Sequence, residues 1–397
     1  MYGRRHGLSW TIGREGSSLE GEECRPLRWL GWSLGPVCPA PPPMTLPILD
    51  AMAQEGFEKV LAVHDRHSGL RAFVAIHNTA RGPAFGGVRR FAYRDEHDSL
   101  MDCMRLARAM TYKCALADLP AGGGKVVVLE SGGEDWEGAY RHLGGIVEQL
   151  GGTFYTGPDV GTGEQELRWM TGRTSYVTDP GEGGPGLLPE CTAQGVFFGI
   201  GAALRHLDGE EDWAARKIVV QGLGSVGTVL ARLLLAEGAQ VLGADLDEER
   251  GQSVAAELGL EHLDASTVLD QECDVLAPCA MGGLVHDLTL DRLGCRIVAG
   301  AANNVLARSL HGDELHDRGI LLVPDFVLNS GALIRGAHFH LDARRVEPEE
   351  IGRGVGQTVQ GILERASEQN APPTRVAAAI AEERIASWDL TQPTSAP

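Results

Sequence analysis

The sequence predicts an α/β fold of two domains around a cleft, and three features of the chain support this. Its 397 residues exceed what one hydrophobic core usually organises, so two domains are expected. In the second half, apolar strands alternate with helical stretches, as in a parallel sheet whose two faces are covered by helices. A glycine-rich turn joins the first of these strands to its helix, which is typical of a doubly wound sheet.

The composition is that of a globular protein with an acidic surface. Hydrophobic residues make up 43% of the chain, charged residues 22%, and the formal net charge is −19 at pH 7. A surface of this sign repels nucleic acid and anionic membranes, so we expect neither as a partner. No apolar run reaches the ~18 residues that a membrane-spanning helix needs.

The eight cysteines form no CxxC pair and have no ligand spacing with histidine. We therefore expect neither a zinc site nor a disulfide framework, and a reducing cytoplasm is the expected location. Two histidine pairs, His311 with His316 and His338 with His340, lack a third ligand. We expect no metal at either pair.

Residues 1–43 differ from the rest of the chain. They mix Arg, Gly, Trp and a proline run without helical or strand periodicity, and they lack the apolar core of a secretory signal. Two interpretations are open: a disordered extension, or a translation start at Met44, where an amphipathic helix with Leu46, Leu49 and Met52 begins. We favour the second.

The first domain is expected over residues 44–182. Residues 59–79 predict two strands around a turn at 65–69. Residues 98–113 predict a helix, and Lys113 extends its apolar stripe, which is formed by Leu100, Cys103, Met104, Ala107 and Met110. The segment "KVVVLE" predicts a short buried strand, with Lys125 where a loop meets it.

The second domain is expected over residues 183–345. After its glycine turn, apolar strands are predicted within "CDVLAPCA", "CRIVAGAANN" and "ILLVPDFVLNSGA", with helical stretches between them. Residues 346–397 are expected to be helical, to return to the first domain and to end in a polar tail.

The glycine turn has the full context of a dinucleotide-binding motif. Gly222, Gly224 and Gly227 form GxGxxG after an apolar strand, and Asp245 ends the next strand. The glycines permit a tight turn, close approach of a pyrophosphate and close helix packing, while Asp245 accepts from ribose hydroxyls and repels a 2′-phosphate. We therefore expect a Rossmann domain that binds NAD rather than NADP; a purely structural turn is the alternative. The contacting positions include Gln221, Leu223, Ser225 and Val226.

Lysine is rare in this chain and is placed unevenly. Arginine supplies 31 of the 35 basic residues, and two of the four lysines, Lys113 and Lys125, flank "LPAGGG". A P-loop is excluded because Val126 follows the second lysine and Leu119 stands where the motif needs its first glycine. A solvated surface lysine is the other interpretation, which the general use of arginine for surface charge disfavours.

A chemical role explains the choice of lysine. Arginine stays protonated, whereas a lysine in a glycine-walled pocket beside a second ammonium can lose its proton. One lysine would then bind a substrate carboxylate while the other acts as general base.

With these features in place, the chain resembles the glutamate/leucine/phenylalanine/valine dehydrogenase family, especially its leucine and phenylalanine branches. The resemblance covers residues 44–388 and is carried by "GPAFGGVR", "MTYK", "AGGGK", "TGPDVGT", "QGLGSVG", "APCA", "AGAANN" and "PDFVLNSGALI". It implies reversible, NAD-dependent oxidative deamination of an amino acid to a 2-oxo acid and ammonium. It also implies a homo-oligomer.

The resemblance assigns the reacting groups. Lys113 in "MTYK" would bind the substrate α-carboxylate, helped by the backbone of Gly86 and Gly87. Lys125 in "GGGK" would be the general base that activates water against the imino acid. Asp159 in "PDVG" would exchange protons with the substrate amine and the attacking water.

The resemblance also assigns residues beside the cofactor. Asn304 in "AANN" would position substrate and nicotinamide, with Asn303 and Asn329 close by. Thr192 in "CTAQGV" would contact the cofactor. A turn cap at Asn329 and a helix cap at Thr192 are the alternatives.

Four residues bear on the substrate side chain. Phe85 occupies the position where the glutamate branch has a lysine, so an apolar substrate is expected. Phe85 shortens the pocket relative to branched-chain members, whereas Gly157 and Gly336 enlarge it and Leu333 resembles the aromatic branch. We rank leucine and related aliphatics first and phenylalanine second.

A catalytically silent NAD-binding regulator on the same fold is the alternative of another class. The presence of Lys113, Lys125 and Asp159 argues against it.

Overall fold

The computed structural model describes residues 48–179, 181, 183–280 and 282–388, together with two short strands near the N-terminus. These strands, β1 (Arg28–Trp29) and β2 (Trp32–Ser33), pair antiparallel. Sequence analysis assigned no strand to residues 1–43, because so short a pair leaves no periodicity to detect. The rest of that segment and the expected start at Met44 lie outside the described residues. The chain divides into a unit of residues 1–51 and a unit of residues 52–397.

The first half of the larger unit is built on a mixed five-stranded sheet. Its strands are β3 (Lys59–Asp65), β4 (Leu70–Asn78), β5 (Ala84–Phe91), β6 (Gly122–Leu129) and β7 (Phe154–Gly157). In space their order is β3–β4–β6–β5–β7, where β4 runs antiparallel to β3 and β6, and β5 runs parallel to β6 and β7. The strand pair expected around residues 65–69 is confirmed.

Four helices belong to this part of the chain. They are α1 (Ile48–Glu55), α2 (Glu96–Leu116), α3 (Trp136–Gln149) and α4 (Glu164–Thr171). Helix α2 is longer than the predicted span of residues 98–113. It begins earlier because the Asp95 side chain caps it by accepting from the backbone N–H of Asp98, and it continues one turn beyond Lys113. The predicted stripe of Leu100, Cys103, Met104 and Ala107 is buried.

The second half contains a parallel six-stranded sheet. Its strands are β8 (Lys217–Gln221), β9 (Gln240–Ala244), β10 (Glu261–His262), β11 (Cys273–Pro278), β12 (Cys295–Val298) and β13 (Leu321–Leu322). In space their order is β10–β9–β8–β11–β12–β13. This arrangement, in which the order reverses between β8 and β11, is that of a Rossmann domain.

Helices cover both faces of this parallel sheet. They are α5 (Leu188–Asp208), α6 (Ser225–Ala236), α7 (Glu248–Leu258), α8 (Leu310–Asp317), α9 (Asp325–Leu328) and α10 (Gly331–Asp342). Short 3₁₀ helices lie at Trp213–Ala215, Val268–Asp270 and Leu290–Arg292.

One predicted strand is mostly helical. In "ILLVPDFVLNSGA" only Leu321–Leu322 pairs with the sheet, while α9 and α10 take up the rest. Pro324 ends the strand because it has no N–H to donate, and it stands directly before the first helical residue, Asp325. The apolar run is therefore a strand end followed by a buried helical turn.

The last two described helices pack against different partners. Helix α11 (Pro348–Gln369) buries Val355 and Val359 in one core with Val196 and Ile200 of α5. Helix α12 (Pro373–Ala386) reaches α2, where the Arg384 guanidinium donates to the last carbonyls of that helix. The polar tail of residues 389–397 lies outside the described residues, and within the described ones no helix is long and apolar enough to cross a membrane.

Candidate active site

A cavity of about 570 Å³ lies between α2 and β5 on one side and the loop after β12 with α9 and α10 on the other. Its wall combines strands of the mixed sheet with the loop that follows β12 and the helices that follow β13, so it lies beyond the carboxyl ends of those parallel strands, where ligands of such sheets bind. Of the residues singled out in the sequence, those that line it are Phe85, Gly86, Gly87, Lys113, Lys125, Gly157, Asp159, Asn303, Asn304, Asn329, Leu333 and Gly336.

Lys125 lies inside a strand, not where a loop meets one as the sequence suggested. It is the fourth residue of β6, because the three glycines before it are themselves part of the strand. Every residue of β6 is buried, and the strand lies between β4 and β5. The Lys125 side chain is only 5% exposed, and its Nζ lies 2.5 Å from Oδ2 of Asp159.

Asp159 lies in the turn that follows β7. Burial acts to raise the pKa of its carboxyl group, but the adjacent charges of Lys125 and Arg89 outweigh it and lower the pKa to about 2. The carboxylate therefore stays ionised between two cations. Arg89, the last residue of the motif "GPAFGGVR", was not assigned a role from the sequence; its Nε lies 3.1 Å from Oδ2 of Asp159.

Lys113 stands in the last turn of α2 and faces the same cavity. Its Nζ lies 3.2 Å from Oδ1 of Asn303. Desolvation lowers the pKa of the Lys113 ammonium to about 8; the charge of Asp325 opposes this shift, and that of Lys125 adds to it. A cation at this point, next to the buried Lys125–Asp159 pair, suits the carboxylate of a small ligand.

Three asparagines lie on the opposite wall. The Nδ2 of Asn329 donates to the carbonyl oxygen of Ala301 at 3.1 Å and to Oδ1 of Asn303 at 2.9 Å. Asn329 also follows the last residue of α9, so the interpretation as a cap and the interpretation as a site residue are compatible. Its Oδ1 is buried without a protein partner, which leaves an acceptor for an amide such as that of nicotinamide.

The apolar wall of the cavity has an aromatic backing. The ring of Phe85 stacks on Tyr155 with centroids 5.0 Å apart, and the His340 ring lies 5.0 Å from that of Tyr155. Tyr155 was not singled out in the sequence, and His340 was considered there only as one of a histidine pair, because their meeting depends on how β7 lies against α10. A Cβ added at Gly336 would meet no atom within 4 Å, whereas one at Gly157 would lie 3.1 Å from Oγ1 of Thr178. The space beside Gly336 is therefore open.

Gly86 and Gly87 have to be glycines because the backbone of a neighbouring segment lies too close to each of them for a Cβ atom. A Cβ at Gly86 would lie 1.7 Å from the carbonyl oxygen of Gly124, and one at Gly87 would lie 2.5 Å from that of Pro158. Without side chains, β5 can pass directly beneath the lysine and aspartate.

The predicted dinucleotide motif lies outside this cavity's wall, between β8 and α6. Gly222 has φ +94°, which favours glycine, and a Cβ at Gly227 would lie 1.9 Å from the Gly222 carbonyl oxygen. A Cβ at Gly224 would meet nothing within 4 Å. The open space stands at the N-terminus of α6, which begins at Ser225 with Val226 next, so the residues fit a pyrophosphate.

Asp245 follows β9 and is 6% exposed. Its carboxylate accepts from the backbone N–H groups of Leu223 (2.8 Å) and Asp247 (2.9 Å) and from the guanidinium of Arg250 (2.6 Å). The carboxylate thus supports the glycine turn from behind, a contact the motif alone did not reveal. Arg250 was also missed, since it lies a helical turn beyond the acid.

Thr192 and Gln221 are two further residues that the sequence predicted to contact the cofactor. Thr192 is the fifth residue of α5, where its Oγ1 donates to the carbonyl oxygen of Leu188, so it is not a helix cap. Gln221 ends β8 with a buried Oε1 that has no protein partner. Both stand at the nucleotide side of the fold and stay predicted contacts.

The histidines expected to be structural have ordinary partners. His311 contacts Asp287 at 3.0 Å, and His338 contacts Asp342 at 2.8 Å. Within the part of the chain that the structure describes, no group of three or more His, Cys, Asp or Glu side chains could hold a metal ion.

Comparison with known proteins assigns the family. The Glu/Leu/Phe/Val dehydrogenase dimerisation domain matches residues 58–176, and the glutamate/leucine/phenylalanine/valine dehydrogenase domain matches residues 183–247 and 244–387. The chain belongs to the Glu/Leu/Phe/Val dehydrogenase family. It is an amino-acid dehydrogenase that uses a nicotinamide dinucleotide.

Relatives of this family align over most of the chain. Leucine dehydrogenase of Thermoactinomyces intermedius is 36% identical over 350 residues, which is 87% of this chain and 96% of the relative. Phenylalanine dehydrogenase of Bacillus thermotolerans is 39% identical over 317 residues, 77% of this chain and 82% of the relative. The crystal structure of L-tryptophan dehydrogenase from Nostoc punctiforme superposes with a TM-score of 0.75 at 34% identity, covering 85% of this chain and 98% of that one.

Proposed function

We propose that this dehydrogenase catalyses reversible, NAD-dependent oxidative deamination of an apolar L-amino acid, with leucine and related aliphatics preferred. The observation that carries the proposal is the buried contact of 2.5 Å between Lys125 and Asp159, next to the Lys113 ammonium and an apolar wall. An apolar amino acid can bind here with its carboxylate at Lys113, its amine at Asp159 and its side chain against the apolar wall.

In the proposed reaction, Lys113 binds the substrate carboxylate, helped by the backbone of Gly86 and Gly87. Asp159 first passes one proton of the substrate ammonium to solvent, which is the proton released overall. The nicotinamide, when bound, would take up the hydride from the substrate Cα, and an iminium group is left on the substrate. Water then attacks the iminium carbon while the amine form of Lys125 takes one of its protons. Asp159 orients this water and passes protons to the leaving nitrogen, so that the C–N bond breaks to give a 2-oxo acid and ammonium. The net reaction consumes one water and releases one proton.

The preference for NAD over NADP rests on Asp245. Its buried carboxylate lies directly after β9 and beside the glycine turn, where a 2′-phosphate would meet a negative charge. Arg250 neutralises part of that charge at 2.6 Å, so the discrimination is expected to be moderate.

Phenylalanine is the second candidate substrate. The open space beside Gly336, together with Leu333 on the same wall, leaves room for a larger side chain. Relatives that are named leucine, phenylalanine and tryptophan dehydrogenases are similarly close in sequence. Overall similarity therefore does not select the substrate, and we expect the residues of the apolar wall to determine it.

A substrate panel tests the function. Purified protein is given NAD or NADP with leucine, valine, phenylalanine, tryptophan or glutamate, and reduced nicotinamide is followed by absorbance. Turnover of leucine or valine above phenylalanine with NAD supports the proposal, whereas a preference for phenylalanine selects the second candidate. Preference for glutamate contradicts both, and NAD binding without turnover of any amino acid supports the silent regulator.

We further propose a cytoplasmic homo-oligomer without nucleic-acid or membrane partners. The match of residues 58–176 to a dimerisation domain supports self-association, and the net charge of −19 disfavours polyanionic partners. All six cysteines in the described ranges are free, which suits a reducing compartment. Sedimentation analysis measures the assembly directly.

A further inference from the structure

A continuous series of polar contacts joins the two walls of the cleft. Arg105 of α2 donates from Nη1 to Oδ1 of Asn304 at 2.9 Å and from Nη2 to Oδ1 of Asp102 at 2.6 Å. The second oxygen of Asp102 accepts from Nη1 of Arg89 at 3.1 Å. Arg89 in turn donates from Nε to Asp159 at 3.1 Å. Asn304, in the loop after β12, is thereby connected to Asp159, in the turn after β7.

Arg105 is the member that crosses the cleft. Its side chain is half-exposed, yet its two terminal nitrogens are divided between Asn304 and Asp102. Asn304 has φ +54°, a left-handed conformation that asparagine tolerates better than most residues other than glycine. The contact with Arg105 is one of the restraints on that loop.

Asp102 joins two arginines into one unit. Its carboxylate accepts from Arg89, from Arg105 and from the Tyr93 hydroxyl at 2.7 Å. Burial acts to raise the pKa of Asp102, but these hydrogen bonds outweigh it and hold the pKa below its usual value. Because the two arginines share this one carboxylate, loss of the Arg105 contact changes how Asp102 is held and therefore how Arg89 is held.

Arg89 links Asp102 to Asp159, one of the reacting groups. Its planar guanidinium contacts Asp102 through one edge and Asp159 through another, which a lysine with a single nitrogen would not reproduce. Its side chain is largely buried, as are those of both carboxylates. Asp159 therefore takes its place between Arg89 and Lys125 and is not held by Lys125 alone.

We propose that Arg105 is a positioning residue that couples the contact across the cleft, through Asp102 and Arg89, to the placement of Asp159. The proposal rests on the function given above, in which Asp159 orients the attacking water. When the two walls meet at Asn304, Arg105 is fixed and Asp159 is held for reaction. When the walls part, Arg105 loses one of its two partners and the restraint on Asp159 relaxes.

Hydrogen exchange tests the coupling without relying on turnover. In Arg105→Met, amides of residues 158–163 are expected to exchange at least about fivefold faster, as are those of residues 301–306. The hydrogen bonds and ion pair of Arg105 are with Asn304 and Asp102, both outside the first segment. The Thr162 N–H, which donates to the Asp159 carbonyl oxygen at 2.9 Å, reports on that segment. The control is Arg141→Met, which removes an arginine paired with Glu137 on α3 and should change neither segment. Faster exchange at residues 301–306 alone would overturn the proposal.

Steady-state kinetics give the second readout. Arg105→Met is expected to lower kcat about tenfold with KM within about twofold, because Lys113 still binds the carboxylate. Combining it with Arg89→Met should be no worse than Arg89→Met alone, since both act through one path. Arg105→Lys should recover only part of kcat, because one nitrogen cannot serve both Asn304 and Asp102. Multiplicative losses in the double variant would overturn the coupling.

A milder substitution is available in case Arg89→Met does not fold. If Arg89→Met does not fold, Asp102→Asn, which keeps the shape and removes the charge, replaces it in the same cycle with the same expected non-additivity. Wild-type inactivity towards all amino acids would refute the proposed function, while the exchange experiment would still decide the coupling.

Discussion

The glycine-rich segments at residues 121–125 and 221–227 use the same residue type for opposite purposes. In the first, glycine lets strand β6 lie against its neighbours: a Cβ at Gly122 would be 1.7 Å from the carbonyl oxygen of Asn78. In the second, Gly222 and Gly227 are closely packed as well, but a Cβ at Gly224 would meet nothing within 4 Å. Close packing buries Lys125, whereas the open turn leaves room for a phosphate. What surrounds the glycines, and not their number, decides which of the two sites forms.

Replacement of Lys125 by alanine has the largest expected effect, because it removes the chemistry of the first segment and leaves the second intact. Loss of a general base lowers turnover by about 10²–10⁴-fold, while NAD affinity measured by calorimetry should be unchanged. The matched control is Lys59→Ala on the exposed edge strand β3, which should keep full activity. Near-normal turnover of the Lys125 variant would refute its assignment as the base.

Alanine substitutions in the two segments test the comparison itself. Gly122→Ala should cost about 1–3 kcal/mol in the free energy of unfolding, because the strand has to move away from Asn78. Gly224→Ala should leave the free energy of unfolding within about 1 kcal/mol of wild type and weaken NAD binding instead. Urea denaturation and calorimetry measure the two quantities, and the comparison fails if both variants show the same pattern.

A third glycine, Gly336, extends the comparison to the substrate wall. Like Gly224 it faces open space, so a valine there would project into the cavity without disturbing the core. Gly336→Val should lower the ratio of kcat/KM for phenylalanine to that for leucine by about tenfold or more. The matched control, Gly145→Ala on α3, also has no atom within 4 Å of its Cβ and lies away from the cavity. An unchanged ratio would mean that the side chain binds elsewhere.

The pH dependence of carboxylate binding concerns Lys113, the second lysine of the cavity, and its expected effect is the smallest. Because burial lowers the pKa of Lys113 to about 8, its ammonium is charged below that pH and neutral above it. Affinity for 4-methyl-2-oxopentanoate, measured with saturating NAD, should therefore fall as the pH rises through about 8, by at most about tenfold per pH unit. In Lys113→Arg the charge persists, so any remaining affinity should not fall over this range. A flat profile in the wild type would exclude Lys113 as the carboxylate ligand.

The sequence predicts the second segment better than the first. The motif of Gly222, Gly224 and Gly227 has a strand, a helix and an acid at set distances, so local pattern carries its whole context. The position of Lys125 inside a strand was harder to predict from the sequence, because three glycines normally mark a loop and only tertiary packing keeps them in a strand.

Contacts between distant parts of the chain were beyond the sequence for the same reason. Arg89 and Asp159 are separated by 70 residues and meet only because β5 lies beside β7. Arg105 reaches Asn304 across 199 residues, and no local period reports such a contact. Tyr155 and His340 form the aromatic backing in the same way. Residue type and order identify the reacting groups, whereas their restraints come from the tertiary fold.

Transfer of an isotope label tests the central claim most directly. The enzyme is incubated with NAD and L-leucine that carries deuterium at Cα, and the products are analysed by mass spectrometry. The account predicts one deuterium in each reduced dinucleotide, with 2-oxo acid and ammonium formed in equal amounts. Reduced dinucleotide without deuterium, or 2-oxo acid without reduced dinucleotide, would contradict it.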